Sequence, residues 1–407
     1  MAARGNILTQ RRRGAETVRK VRLGDVCNLV RGVSYKPHDA VSEAATGYVP
    51  LLRANNIGTN GLNHDELVYV KRECVHEDQF VRKGDLLVCA SSGSKHLVGK
   101  AAQISSDRKE TFGAFCKVIR PDARECDFNY FANYFQSDVY RRTISDKAAG
   151  ANINNIRSEH LEDLQIPLPP LSEQQRIAGE LDKICELKKN AETRREKLDL
   201  LVKSRFVEMF GDYDASAKKV ILGDICDLVT VGIANSATHA YADKGVVMFR
   251  NQNIHENELD DADLIYIKED FAAKYEPKTL RENDLLVTRT GYPGVACLVP
   301  SKYEGAQTFT TLIARLADFK KSNPVFVCHY INSAYGKRFV EKNKVGIAQQ
   351  NFGAKALAEL PIFLPPLALQ REFAAFVEKV DKLRVNVRET VAKMDTLYRA
   401  KLQEYFG

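Results

Sequence analysis

Arg53, Asn55 and Asn56 stand together in LLRANNI, and Arg250, Asn251, Gln252 and Asn253 stand together in MFRNQNI. A guanidinium offers a fork of donors and a carboxamide offers one donor beside one acceptor. These are the groups that pair with the major-groove edges of guanine and adenine. A second set follows a strand-like run in each half of the chain: Ser91, Ser92, Ser94, Lys95 and His96, then Thr288, Arg289, Thr290 and Tyr292. A third set comprises Asn152, Asn154 and Asn155, then Gln349, Gln350 and Asn351. All three sets are candidates for contact with nucleic-acid bases. Asn and Ser also build turns, and the third set equally suits a loop whose side chains satisfy its own backbone, so both readings stand.

The chemistry of these residues is recognition rather than bond making. GSKHLVGKA (Gly93–Ala101) looks like a phosphate loop, but five residues separate its glycines and Ala101 stands where a hydroxyl should hold magnesium. NPVF (Asn323–Phe326) resembles the N-P-P-F of adenine methyltransferases but lacks the second proline. Asn323 as an N-cap, with Pro324 at the first helical position, explains the run. No dinucleotide glycine loop, H-E-x-x-H or serine elbow occurs. The nine cysteines include no C-x-x-C and no Cys/His spacing suited to zinc. Cys27 and Cys226 fall at matching places and read as small apolar residues rather than a disulfide, which points to a reducing cytoplasm. No apolar run approaches the roughly 20 residues that cross a bilayer, and MAARGNILTQRRRG has no apolar run after its basic residues. The net charge of +7 permits a polyanionic partner. Arg11, Arg12, Arg13, Arg19, Lys20 and Arg22 either touch phosphates or form a disordered basic tail.

The elements that hold these side chains are written twice. KVRLGDVCNLVRG from Lys20 returns as KVILGDICDLVTVG from Lys219, YVPLLRANNI as VVMFRNQNI, KGDLLVCASSG as ENDLLVTRTG, and GANINNI as GIAQQNF. LPPL at 168–171 returns at 364–367, and the offset drifts only from 199 to 196. Five ordered matches over half the chain mark a tandem duplication, a pseudo-dimer in one chain.

Each copy begins with an α+β globular part of about 150 residues, in which short strands (VPLLRA, DLLVCAS, GAFCKVIR) alternate with turns. Asp127–Ile144 reads as one helix. Pro-Pro then resets the chain, and a long helix follows. Steps of four and three give the seam Ile177, Leu181, Ile184, Lys188, Ala191, Arg195, Leu198, Val202. The second copy gives Phe373, Val377, Val380, Arg384, Val387, Val391, Met394, Tyr398. Both seams carry a basic residue at the fourth step, where a polar group fixes coiled-coil register. With a globular part between them in sequence, the two helices are expected to pair antiparallel; the alternative is that each packs only on its own domain. The expected division is a basic tail over 1–20, globular domains over 21–170 and 212–366, and helices over 171–211 and 367–407.

A globular domain, an LPPL-x-E-Q-Q-R-I helix, a second globular domain and an LPPL helix in that order resemble the specificity subunits of type I restriction–modification systems. The resemblance runs from about Val21 to Gly407 and rests on Pro169, Pro170, Leu171, Glu173, Gln174, Arg176 and Ile177, with the opening Leu23-Gly24-Asp25 repeated as Leu222-Gly223-Asp224. The second helix departs from it: Ala368, Leu369 and Glu372 replace Ser172, Glu173 and Arg176. The resemblance implies two target recognition domains that read separate half-sites of double-stranded DNA, with the helices as spacers. Ser172–Phe210 would span roughly 58 Å, an upper scale of about 17 base pairs. Unlike halves imply an asymmetric, bipartite site. The resemblance further implies two methyltransferase subunits and restriction/translocase subunits as partners. It places S-adenosylmethionine, ATP and Mg on those partners, with no cofactor and no catalysis on this chain. Two other classes compete: a non-catalytic protein-interaction scaffold with two binding modules on a coiled coil, which predicts no salt-sensitive duplex binding by the assembled complex, and an enzyme with an unfamiliar site, which predicts activity from the chain alone.

Overall fold

The computed structural model describes residues 19–58, 61–94, 97–147, 154–211, 219–234, 237–346 and 350–407. Its contacts divide the chain into two units, Met1–Glu192 with Glu389–Gly407, and Thr193–Arg388. Each unit holds one globular domain and part of both long helices.

In the first unit, Lys20–Arg22 pairs antiparallel with Gln165–Pro167, so the domain begins where it ends. A four-stranded antiparallel sheet runs in the order Ala101–Gln103, Leu86–Cys89, Cys116–Pro121, Cys27–Arg31. The central strand Leu86–Cys89 is buried throughout, as its unbroken apolar run requires. A second sheet runs in the order Thr111–Phe112, Tyr48–Leu52, Val68–Lys71, Ala40–Val41, with its first pair parallel. The second unit repeats this plan with Ala296–Leu298, Leu285–Val287, Leu312–Leu316, Cys226–Val231 and with Gln307–Thr308, Val246–Phe249, Ile265–Ile267, Tyr241–Ala242. Lys219–Ile221 pairs there with Pro361–Phe363.

The duplication extends to buried polar groups. Asp85 lies under the first sheet at 1% exposure and accepts two bonds from Arg120, at 2.8 and 2.7 Å. Asp284 and Arg315 repeat the arrangement at the same two distances. Each carboxylate also takes the backbone N–H three residues before it, from Arg82 and Arg281. A buried charge so fully paired holds its turn firmly, since removing one partner would strand the other. Gly32 and Gly232 mark a shared close approach: a Cβ there would stand 2.1 Å from the Gly113 carbonyl oxygen and 2.4 Å from that of Thr308.

The residues expected to form one helix over Asp127–Ile144 form two, Phe128–Tyr134 and Asp138–Lys147. Ser137 breaks them: its hydroxyl donates to the Tyr134 carbonyl and accepts from the Tyr140 N–H. Ser333 does the same between Pro324–Asn332 and Ala334–Asn343, capping the Tyr335 N–H. Asn323 caps the Val325 and Phe326 N–H groups, with Pro324 next to it.

The long helices are Leu171–Phe210 and Leu367–Phe406, each of 40 residues. They pack together, antiparallel. In the first unit Lys188 pairs with Asp395 at 2.7 Å and Lys401 with Glu180 at 2.9 Å. In the second, Arg384 pairs with Asp199 at 2.7 Å and Arg205 with Glu372 at 2.9 Å. The two basic seam residues therefore each meet an acid on the opposite helix. Arg195 departs from the expected seam and is exposed. Each pair of helix ends shares a core with its domain. Ile177, Leu181, Leu402 and Phe406 bury with Tyr130, Phe131 and Tyr134. In the second unit Phe206, Phe210, Phe326 and Phe373 pack ring against ring, at centroid separations of 4.9 to 5.8 Å.

Candidate nucleic-acid interface

The three candidate sets converge in each domain. In the first, Ser91 and Ser92 pair antiparallel with Asn155 and Asn154, and the Ile156 N–H reaches the Ala90 carbonyl at 2.7 Å. In the second, Thr290 bridges Asn351, and the Phe352 N–H reaches the Arg289 carbonyl at 2.9 Å. The first set joins through Asn251, which donates to the Thr290 hydroxyl at 2.8 Å, while Arg289 donates to Asn351 at 3.0 Å. In the first domain the first two sets line an open cleft of about 800 Å³, with Arg53, Asn55, Ser91, Ser92, Tyr35 and Phe115 among its walls.

Several candidates have structural work instead. Asn56 and Asn253 are buried, at 0% and 2% exposure. Each accepts from the N–H of its arginine, Arg53 or Arg250, at 2.9 and 3.0 Å, and donates to a carbonyl nine residues on, Asp65 or Ala262. Thr288 is buried too; its hydroxyl donates to the Tyr292 carbonyl and accepts from the Val295 N–H. These three are corrections to the surface set, because packing reaches them before solvent does. Gln350 accepts from Lys344 at 2.9 Å, and the Ser92 hydroxyl accepts from the Ser94 N–H at 3.1 Å. Tyr292 is 87% exposed. Lys95, His96, Asn152 and Gln349 lie outside the described residues, as do Arg11, Arg12 and Arg13. Of the other basic residues near the N-terminus, Arg22 pairs with Asp163 at 2.7 Å.

Tyr35 and Phe115 were hidden in the sequence because aromatic residues beside strands read as core. Phe115 is 70% exposed, while its carbonyl serves the fold, accepting from the N–H groups of Ala90 and Ser91. Burial pushes the Cys116 thiol, along the same cleft, up to about 12, so it stands neutral and un-nucleophilic. All nine cysteines carry free thiols. Among the described residues no His, Cys, Asp or Glu cluster is arranged to hold a metal ion, and no helix is long and apolar enough to cross a membrane.

A frame built twice, offering donors and acceptors at a different set of side chains each time, defines a two-module recognition protein. The model of the type I restriction modification DNA specificity domain matches residues 15–199 and again 216–392, and the chain belongs to that family, whose members confer DNA sequence specificity in restriction–modification. It is 26% identical over 405 residues to the EcoKI specificity subunit of Escherichia coli K12 and 29% identical over 414 residues to the StySPI specificity subunit of Salmonella potsdam. Both alignments cover 94% of this chain and 86% of the relative. The S subunit of M. genitalium superposes with a TM-score of 0.52 at 14% identity, covering 96% of each chain. A chain from a structural study of type I complex assembly and conformational transition gives 0.55 at 18%, covering 95% of this chain and 97% of that one. At these identities the structural likeness is one of fold.

Proposed function

We propose that this chain directs methyltransferase and restriction partners to an asymmetric, bipartite DNA site, each half read by one domain and the gap set by the paired helices, and that it performs no catalysis itself. The observation that carries the reading is the matched frame with unlike outward residues: Asn55, Ser91, Ser92 and Phe115 on one domain, Gln252, Arg289, Thr290 and Tyr292 on the other. Two similar readers of different sequence suit a site whose halves differ. S-adenosylmethionine, ATP and Mg would belong to the partners.

Two methyltransferase copies fit the pseudo-twofold repeat. Leu187 and Leu397 are exposed on the helices of the first unit at 49% and 41%, and Leu383 and Leu201 on those of the second at 42% and 47%. Each stands 196 residues from its counterpart, Leu187 from Leu383 and Leu201 from Leu397. Each unit thus exposes a leucine on each long helix at equivalent positions, as two copies of one partner would require. Native mass spectrometry of the assembled complex should show two methyltransferase subunits per chain. A one-to-one complex as the sole assembly under saturating partner refutes that count. Mapping methylated bases genome-wide, in cells with and without the chain, should reveal one motif with two unlike halves at a constant gap; a motif with identical halves, or none, refutes the DNA reading.

A further inference from the structure

The turns Arg53–Asn56 and Arg250–Asn253 share one internal wiring. The last residue, Asn56 or Asn253, is buried and bonded back to the first. The first residue turns its guanidinium inward: Arg53 Nη2 donates to the Glu66 carbonyl at 2.8 Å, and Arg250 Nη2 to the Asp263 carbonyl at 2.6 Å. Glu66 and Asp263 both hold φ at +50°, a left-handed backbone that costs energy in a residue with a Cβ and is kept by what braces it. Arg53 Nε and Arg250 Nε are both buried without a partner among the described residues. Each guanidinium is thus anchored by one Nη2 hydrogen to the strained residue it braces, with its Nε side buried. At the second place Ala54 offers nothing, and Asn251 is tied to Thr290.

The third place is different. Asn55 and Gln252 are exposed, and among the described residues neither carboxamide is bonded within the chain. They stand at equivalent positions, and Asn55 lines the first domain's cleft. We infer that Asn55 and Gln252 are the specificity-determining side chains of these two turns, each reading one adenine, while Arg53 and Arg250 position the turns and read nothing. A carboxamide supplies the acceptor and donor that match adenine N6 and N7, and a braced turn holds it with little freedom to lose. This rests on the DNA reading above and sharpens it to one residue per domain.

The test uses the full chain assembled with its methyltransferase subunits, mapping the methylated motif in cells for Asn55→Ala, Gln252→Ala, Arg53→Ala and Arg250→Ala. Asn55→Ala should relax one adenine position in one half-site and Gln252→Ala one in the other, each lowering discrimination about 5- to 150-fold. Arg53→Ala and Arg250→Ala should leave the motif unchanged and lower the unfolding temperature of the complex. Asn55→Ser and Gln252→Ser, which keep a polar side chain but lose the adenine match, guard against misfolding and should relax the same positions. An unchanged motif in either carboxamide variant overturns the assignment, as does an arginine variant that relaxes a position at unaltered stability. A wild-type complex that methylates at no recurring motif removes instead the DNA reading beneath it.

Discussion

His329 stands among Phe373, Arg384 and Lys203, buried in the helix Pro324–Asn332. Burial first, then Arg384 and Lys203, depresses its imidazole from the ordinary 6.5 to about 3. The unfolded chain therefore takes up this proton first. The stabilising contribution is present above pH 6.5 and is lost progressively as pH falls toward 3. Between pH 7 and 5.5, before carboxylates titrate, the second domain should lose about 1 kcal/mol through this residue. Hydrogen exchange of Pro324–Asn332 in the intact chain, corrected for intrinsic rates, checks it: His329→Leu should flatten the slope, and an unaltered slope would place the titration elsewhere. Side-chain roles were the least legible part of the sequence. Arg53 and Asn56 look as suited to reading bases as Asn55 does, and only burial and bonding separate a brace from a reader. The Asp85–Arg120 and Asp284–Arg315 pairs went unread because the partners lie 35 and 31 residues apart, with nothing in the local pattern to join them.

Among the elements, the long helices were written plainly, since Pro-Pro and a sustained four-three pattern leave little else for the chain to do. The helix break at Ser137 was missed because FQSDVY keeps helical periodicity through it. The start of the second long helix is more instructive. Ala368, Leu369 and Glu372 break the match to the first, yet Gln174 and Gln370 remain in register and both are buried, at 1% and 0% exposure. Gln174 accepts from the Asp127 N–H at 2.8 Å and donates to the Pro169 and Glu125 carbonyls. Gln370 accepts from the Asn323 N–H at 2.8 Å and donates to the Pro365 carbonyl. Asp127 and Asn323 are themselves N-caps, so one carboxamide couples two helix starts in each unit. Gln174→Ala or Gln370→Ala should cost about 1–3 kcal/mol by leaving a buried N–H and a carbonyl unpaired, while Arg176→Ala, at an exposed ion pair with Glu173, should cost well under half that. Denaturant titration of the three variants distinguishes a carboxamide anchor from a charge-based one.

For the whole molecule, the duplication was the most legible feature, because five matches at a nearly constant offset survive divergence of everything between them. The proposal that the helices set the gap has a direct consequence. Deleting Lys189–Arg195 together with Arg388–Met394 removes one heptad from each helix, keeps the seam in phase, and spares both the Lys188–Asp395 and Arg384–Asp199 pairs. The helical span would shorten by about 10.5 Å, or about three base pairs, with a rotation near 100° between half-sites. Methylation should move to a shorter gap or cease while both domains stay folded. A folded, active complex that still methylates the original spacing would show that the helices do not set it. The strand pairs Lys20–Arg22 with Gln165–Pro167 and Lys219–Ile221 with Pro361–Phe363 add something further. Each domain begins and ends on one two-stranded clasp, as a plug meets a socket. On the proposed reading, exchanging the residues between one pair of clasp strands would need a single pair of junctions and would replace one half of the recognised site while leaving the other.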